Sequence, residues 1–485
     1  MNCNNIHFHS LSARMIAMLM LALSIALPQS HAASAPNILL LIGDDMGIET
    51  LPCYGIAKDT PSTPTLNDLC RLGVRFTNVW SQPVCSPTRA TMLTGRYGFR
   101  TGVGSAIPAP KEVASLRVAP QKPANASRES PVTEHDREVP GLRPNEFTLP
   151  MALKSNPALG YETAAIGKWH LADLNNGGFE HPNRAGFDYF SGDAFGPLPS
   201  YFAYPTQING KPTQGIAGYA DSTRVDDALA WIRSRNGNKP WFLWLGFSNP
   251  HSPYHLPPTQ LLHSSAKDLD PLSNDINQKP FPYFKAMLEA LDTEIGRLLS
   301  SLTAEQRANT YIVFVGDNGT SRAVVQTPFD PQRSKGSVYQ GGINVPLVVV
   351  GPGIQGGQVS TALVNTTDIY ATVLELATIN IKRAVPESVK LDSISFASLL
   401  RKPDATAQRS FTYADSFGPG IKKAQAIRNQ SYKLVINDAN EELFALSTDP
   451  YEKQNLLSTT LSAEARKNYE GLKAQLSKLL STEQP

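Results

Sequence analysis

The sequence predicts an α/β fold in which a large, mostly parallel sheet is sandwiched by helices and followed by a small C-terminal α+β subdomain. Three observations predict it. Apolar runs of strand length, rich in β-branched, aliphatic and aromatic residues, recur along the chain, and each ends in a polar cluster. Helical patterns lie between those runs, and continuously apolar strands alternating with helices belong to parallel sheets covered on both faces. The 485 residues, 41% of them hydrophobic, suffice for one large domain and a smaller one.

Residues 1–33 read as an export signal, with Arg14 ahead of an apolar run at 15–27 and Ser30-His31-Ala32-Ala33 offering small residues for cleavage. The run is shorter than the ~20 residues that span a membrane, and no later segment qualifies. The mature chain is therefore expected to be periplasmic or secreted and free of the membrane, an uncleaved anchor being the alternative. In a main domain expected over 34–400, the run 37–42 leads into Gly43-Asp44-Asp45 and 162–166 into Gly167-Lys168-Trp169-His170. Likewise 240–247 leads into Ser248-Asn249-Pro250-His251, and 310–315 into Gly316-Asp317-Asn318-Gly319. Helices are expected over 63–72, stopped by Gly73, over 220–235, and over 282–302, where Met287, Leu291, Ile295, Leu298 and Leu302 form one stripe.

Ligands of such sheets bind beyond the carboxyl ends of the strands. Four strand ends thus carry Asp44, Asp45, Lys168, His170, His251, Asp317 and Asn318 toward one edge. Residues 104–146, rich in Pro, Ala and Ser, interrupt this order and read as a surface insertion near the pocket. Asn125-Ala126-Ser127 within it matches a glycosylation acceptor. After a strand at 345–350 and a helix near 367–377, residues 401–408 read as a boundary. The subdomain at 401–485 is expected to hold a hairpin of strands 431–437 and 441–446, turning at 438–440, and then a helix over 462–480.

The 44 basic and 42 acidic residues leave a net charge of +2, too weak a field to draw nucleic acid or an anionic membrane as the main partner. Selectivity must come from a local site. Cys3 leaves with the signal, so Cys53, Cys70 and Cys85 remain, too few for a disulfide scaffold. Once Cys85 is set apart, Cys53 and Cys70 are either a bonded pair or two buried thiols.

Cys85 is set apart by its neighbours. Pro87 suits the first turn of a helix and Arg89 follows on the same turn, which places Cys85 at a helix N-terminus, where anions are favoured. Adjacent Asp44 and Asp45 after a buried strand are costly neighbours unless a cation offsets them, the bland reading being an acidic turn. Asp317-Asn318 adds two more hard oxygens, and such a set suits Ca²⁺ or Mg²⁺ rather than zinc. His251 and His255 are four apart, but Pro250, Pro253, Pro257 and Pro258 rule out the helix that a zinc pair needs. Lys168 and His170 lie on one side if their strand continues, and together can bind an anion and move protons. Lys335 by itself reads as a solvated loop lysine. Tyr201, Phe202 and Tyr204 offer either an aromatic wall for a substrate ring or packing.

Together these residues resemble the type I, formylglycine-dependent sulfatases, the arylsulfatase-like branch of the alkaline phosphatase superfamily. Cys85-Ser86-Pro87-Thr88-Arg89, continuing to Leu93-Thr94-Gly95-Arg96, matches the signature CxPxR...TGR, whose cysteine is oxidised to formylglycine. Residues 37–45 are similar to the family's first strand and metal aspartates, 167–171 to GKWHL, Pro250-His251 to PH, and 316–319 to DNG. Lys335 through Pro346 is similar to KG...EGG.RVP. The resemblance covers most of residues 36–460, in the family's order.

The resemblance implies an alkaline-phosphatase-like sheet and one Ca²⁺ held by Asp44, Asp45, Asp317, Asn318 and the modified Cys85. It implies a sulfuric ester hydrolase in which the aldehyde hydrate at position 85 attacks sulfur, expels the alcohol through a covalent sulfo-enzyme and then eliminates sulfate. Arg89 and Lys168 would orient the hydrate and bind sulfate, and His170 would hold the hydrate and take its proton. His251 and Lys335 would contact sulfate and assist the leaving alcohol. The implied partners are a sulfated small molecule or glycan and a formylglycine-generating maturation enzyme. Thr88 stands where serine is frequent, Gln340 where glutamate is common and Asn344 where arginine is common; the last two bear on substrate contacts or loop packing. A phosphoester or phosphonate ester hydrolase of the same superfamily is the near alternative, and a non-catalytic sulfated-glycan binding protein the far one.

Overall fold

A computed structural model describes residues 35–110, 140–235, 239–263, 265–273, 275–406 and 408–482. The expected export signal and the Asn125 acceptor lie outside them. The main sheet contains β1 (Asn37–Gly43), β2 (Val74–Trp80), β3 (Glu162–Lys168), β4 (Tyr189–Asp193), β5 (Ala203–Ile208), β6 (Lys211–Ala217), β7 (Trp241–Gly246), β8 (Thr310–Gly316), β9 (Leu347–Val350) and β10 (Gln358–Asn365). Its order is β10-β2-β9-β8-β1-β7-β3-β4-β5-β6. Only β9 and β5 run against the other strands, so the sheet is mostly parallel, as expected. The four strands read as carrying the site, β8, β1, β7 and β3, are its adjacent parallel centre.

That centrality is why β1 is apolar from Ile38 through Ile42 rather than alternating. Ile38, Leu39, Leu40, Leu41 and Ile42 are each fully buried, because helices cover both faces of the sheet. The longer helices are α1 (Pro64–Leu72), α2 (Cys85–Thr94), α3 (Ala220–Arg233), α4 (Phe281–Ser300), α5 (Asp368–Leu376) and α6 (Ala463–Leu480). The α4 stripe packs as read: Leu291, Ile295 and Leu298 join Leu39, Leu41, Leu243, Leu245 and Phe314 of the sheet in one apolar cluster. Met287 points instead into a smaller cluster with Tyr201, Tyr204 and Tyr219.

Helix α1 has no local side-chain cap. Its first N–H groups, on Thr65 and Leu66, donate 3.0 and 2.7 Å to the Asp292 carboxylate of α4, a cap supplied across the tertiary fold. The question left open for Cys53 and Cys70 is answered, since the two are disulfide-bonded, tying the turn Pro52–Tyr54 to α1.

A second, antiparallel sheet follows, ordered β11 (Thr412–Ser416), β12 (Ala424–Arg428), β13 (Tyr432–Asn437) and β14 (Asn440–Ala445). The expected hairpin is β13–β14, with its turn narrowed to Asp438 and Ala439 and Asp438 left-handed at φ 51°. Ser462 caps α6 by accepting from Ala465 N at 3.1 Å. Trp80, Val338 and Ile343 share an apolar cluster with Ala414, Ala426, Val435 and Phe444, so this sheet is fastened directly behind β2 and the 338–343 turn. Among the described residues, no helix is long and apolar enough to cross a membrane.

Asp415 on β11 is buried, with Oδ1 lacking a partner and Oδ2 accepting from Tyr413 Oη at 3.2 Å. Burial pushes its carboxyl up to about 7, against the lowering by the Tyr413 hydroxyl, the Phe99 main chain and Lys423. The folded state thus holds this proton more tightly than the unfolded chain, so its contribution is present below pH ~4 and is lost as pH rises toward 7. Asp415→Asn is expected to stabilise the fold by a few kcal/mol at pH 8 and to leave it unchanged at pH 4. Urea denaturation at the two pH values checks this.

Candidate active site

Cys85 opens α2 after Val84, an N-cap with no side-chain hydrogen bond, and Pro87 sits in the first turn as read. The thiol is 2% exposed and Sγ lies 3.2 Å from His170 Nδ1. Burial pushes the thiol up, so it stands as S–H beside the imidazole. His170 is held well below the ordinary histidine range by burial and by Lys168, and is neutral. The condition placing Lys168 and His170 on one side is not met, because β3 ends at Lys168 and His170 is left-handed at φ 60°. Both side chains still reach the site, His170 through that turn.

The strand ends are stitched into one surface. Asp44 N donates to Asn249 O at 3.1 Å, Asp317 N to Gly43 O at 3.0 Å, and Asp45 N to Asp317 Oδ1 at 3.1 Å. Each cation then meets a carboxylate: Lys168 Nζ lies 2.5 Å from Asp44 Oδ2, Lys335 Nζ 2.8 Å from Asp45 Oδ2, and Arg89 Nη2 2.8 Å from Asp317 Oδ2. Arg89 Nη1 also donates to Lys168 O at 2.7 Å. Gly246 makes room for that crossing, since a Cβ there would lie 2.9 Å from Arg89 Nη1 and 2.5 Å from Lys168 O. Lys335, read by itself as solvated, is mostly buried against Asp45. His251 Nε2 is 3.9 Å from Asp45 Oδ2, and its Nδ1 donates to Ser252 O at 2.7 Å. The neighbouring His255 bonds Pro253 O and Tyr219 Oη with its two ring nitrogens.

Two oxygens in this cluster are buried without partners, Asp44 Oδ1 and Asn318 Oδ1, while Asn318 Nδ2 donates to Asp45 Oδ1 at 2.9 Å. Ligand atoms of Asp44, Cys85 and Asp317 all lie within 4.8 Å of one another. Burial and the adjacent Asp44 push Asp317 up to about 7 even with Arg89 bound to it. Asp44 itself is penalised by burial, yet Lys168, His251, Arg89 and Lys335 hold it below the usual carboxylate range. Orphaned hard oxygens and a carboxylate repulsion that the cations leave unrelieved fit a divalent oxygen-seeking ion. The three carboxylates and three side-chain cations already balance, so such an ion would leave the pocket with an excess of about +2, suited to an anionic ester.

The departures from the family pattern all enter packing. Thr88 Oγ1 accepts from Gln82 N at 2.9 Å. Gln340 Oε1 accepts from Trp80 Nε1 at 2.8 Å, and Asn344 Oδ1 from Val79 N at 3.1 Å, holding the turn against β2. Of the aromatic trio, Tyr201 and Tyr204 are buried, and Tyr201 Oη donates 2.6 Å to His251 O; Phe202 is 46% exposed. Sequence reading missed Ser86, Gln82 and Thr320. Ser86 Oγ takes the Ile107 N–H, Gln82 Oε1 takes Asp415 N, and Thr320 Oγ1 takes Gly47 N while its carbonyl takes Lys335 N. These contacts involve main-chain atoms far away in sequence, and no spacing signals them.

Carboxylates, lysines and imidazoles gathered around a buried helix N-terminus, at the carboxyl edge of a mostly parallel sheet, define a hydrolase of anionic esters. The sulfatase family model matches residues 36–379, and a model described as N-sulphoglucosamine sulphohydrolase, C-terminal, matches 332–482. The chain belongs to the sulfatase family and is a sulfuric ester hydrolase. It is 30% identical to human N-acetylgalactosamine-6-sulfatase over 382 residues, covering 72% of this chain and 63% of that protein. It is 25% identical to mouse arylsulfatase J, covering 88% and 73% respectively. Among solved structures, Ps i-CgsB has a TM-score of 0.72 at 24% identity, with 92% of each chain covered. BT4656 in complex with D-glucosamine-2-N,6-O-disulfate has a TM-score of 0.65 at 20% identity, covering 92% of this chain and 98% of that one.

Proposed function

We propose that the protein releases inorganic sulfate from an aryl or carbohydrate sulfate ester, using formylglycine made from Cys85 by a maturation enzyme together with one Ca²⁺. The observation that supports it best is the burial of Cys85 Sγ 3.2 Å from His170 Nδ1 and in one group with Asp44 and Asp317, since that burial raises the thiol where a thiolate nucleophile would ask for the opposite environment. Formylglycine would supply a hydrated aldehyde oxygen toward sulfur, and the ion, which Asp44, Asp45, Asp317, Asn318 and residue 85 would hold, would supply positive charge to the transferring group.

The chain's own groups do the rest. His170 Nδ1 accepts a proton from residue 85. Lys168 and Lys335 place positive charge beside the sulfate oxygens, and Arg89 fixes Asp317 and the Lys168 main chain. His251 keeps its ring proton on Nδ1 toward Ser252 O, so Nε2 would first have to take up a proton before passing one to the leaving oxygen. The human relative and the ligand of one structural neighbour make amino-sugar sulfates the first substrates to try. Export to the periplasm or the exterior is part of the proposal, supported by the Cys53–Cys70 bond, which persists in oxidising compartments. So is the division into a catalytic domain over 34–400 and a subdomain over 401–485.

Mass spectrometry of the peptide bearing residue 85, from a purified active sample, tests the proposal. Turnover by a sample whose Cys85 is intact throughout overturns it. Matched aryl sulfate and aryl phosphate esters separate it from the phosphoester alternative. Dialysis against a chelator is expected to abolish sulfate release, and added Ca²⁺ to restore it. Saturating Ca²⁺ should also stabilise the fold, by about 2.7 kcal/mol at a hundred times Kd. A chelated enzyme of unchanged activity and melting temperature sinks the metal assignment.

A further inference from the structure

We propose that Ser86 is a positioning residue, which, with the Ile107 main chain, fixes the nitrogen that His170 turns toward residue 85. Ser86 is the second residue of α2 and fully buried, and its Oγ accepts the Ile107 N–H at 3.1 Å. The carbonyl of the same Ile107 lies 2.8 Å from His170 Nε2. A carbonyl oxygen only accepts, so Nε2 carries the ring proton. In a neutral imidazole the lone pair then lies on Nδ1, the atom 3.2 Å from Cys85 Sγ. The opposite tautomer would set two lone pairs against each other at Ile107 and aim an N–H at residue 85, where it could not take a proton.

In the unmodified protein the Cys85 S–H at Nδ1 favours the same tautomer, while Ser86 acts on the other nitrogen through Ile107. His170 lies beyond the end of β3 in a left-handed conformation, outside the strand ladder. Ser86 occupies a variable position of the CxPxR signature, so replacing it leaves that signature intact. The main chain of Ile107, at the root of the 104–146 segment, thereby enters the reaction geometry without contributing a side chain.

The inference rests on the proposed sulfatase chemistry for its consequence, but its geometry is tested separately. Nitrogen NMR of histidine-labelled full-length protein, produced without the maturation enzyme so that Cys85 is unmodified, is expected to show His170 only as the Nε2–H tautomer. A wild-type Nδ1–H tautomer overturns the proposal with no variant needed. In matured enzyme assayed with 4-nitrophenyl sulfate, and normalised to formylglycine content by mass spectrometry, Ser86→Ala is expected to lower kcat about tenfold. KM and the Ki of inorganic sulfate should stay within about twofold, and Ser86→Thr, which keeps the hydroxyl, should recover most of the loss. A Ser86→Ala enzyme retaining both the tautomer and kcat overturns the proposal, as does one in which KM and the sulfate Ki rise together with the loss. A wild type that releases no sulfate from any ester defeats the functional proposal, and leaves the tautomer measurement standing.

Discussion

Replacing Cys85 with alanine is expected to lower kcat for an aryl sulfate by roughly 10,000-fold or more, while leaving the fold in place. The two halves of that expectation have different causes. In the proposed chemistry activity is lost because residue 85 would carry the attacking oxygen, and neither His170 nor the cations could substitute for a covalent nucleophile. Stability is nearly kept because the thiol is a small buried group whose side-chain contact is with His170, and its removal leaves a cavity worth about 1 kcal/mol. Sulfate release and thermal denaturation, measured on one preparation, separate the two. A loss smaller than a hundredfold would mean that residue 85 is not the nucleophile.

Arg89→Ala is expected to do the reverse and damage the fold as well as the chemistry. The guanidinium is fully buried, gives Nε and Nη2 to Asp317 Oδ2 and gives Nη1 to the Lys168 carbonyl. Removing it leaves Asp317 uncompensated beside Asp44, at a cost of about 3–5 kcal/mol. A divalent ion on the same carboxylates would offset part of that loss. The variant should therefore be far less stable than wild type in chelator, and closer to it in millimolar Ca²⁺. Arg89→Lys should rescue poorly, because a single ammonium cannot reproduce the planar three-bond geometry. Urea denaturation with and without Ca²⁺ decides this; equal destabilisation under both conditions would detach Arg89 from the metal site.

The legible part of the fold was the part written in continuous runs. Strands β1, β3, β7 and β8 are buried along most of their length and carry central apolar runs, and each leads into a polar cluster. Strand β2 was missed because its buried residues, Val74, Phe76, Val79 and Trp80, form neither a continuous run nor a period of two, with Thr77 and Asn78 interrupting the pattern. Strands β4, β5 and β6 carry Gly, Pro and polar residues at the end of the sheet and give no comparable run. The helix-opening position of Cys85 was legible from Pro87 alone. The cap on α1 was not, because Asp292 supplies it from 226 residues away.

The sequence by itself determined which strand ends bear acids, lysines and imidazoles, and that Cys85 opens a helix, because local apolar pattern and local backbone chemistry decide those things. Only the tertiary structure decided the pairing: Lys168 with Asp44, Lys335 with Asp45, Arg89 with Asp317, and Cys53 with Cys70. It also decided that Gln340 and Asn344 pack a turn, and that His170 answers to a main-chain carbonyl at Ile107. The physical reason is the same in each case. Charges and hydrogen bonds act over a few ångströms of space, and the sheet brings together groups separated by up to 290 residues along the chain.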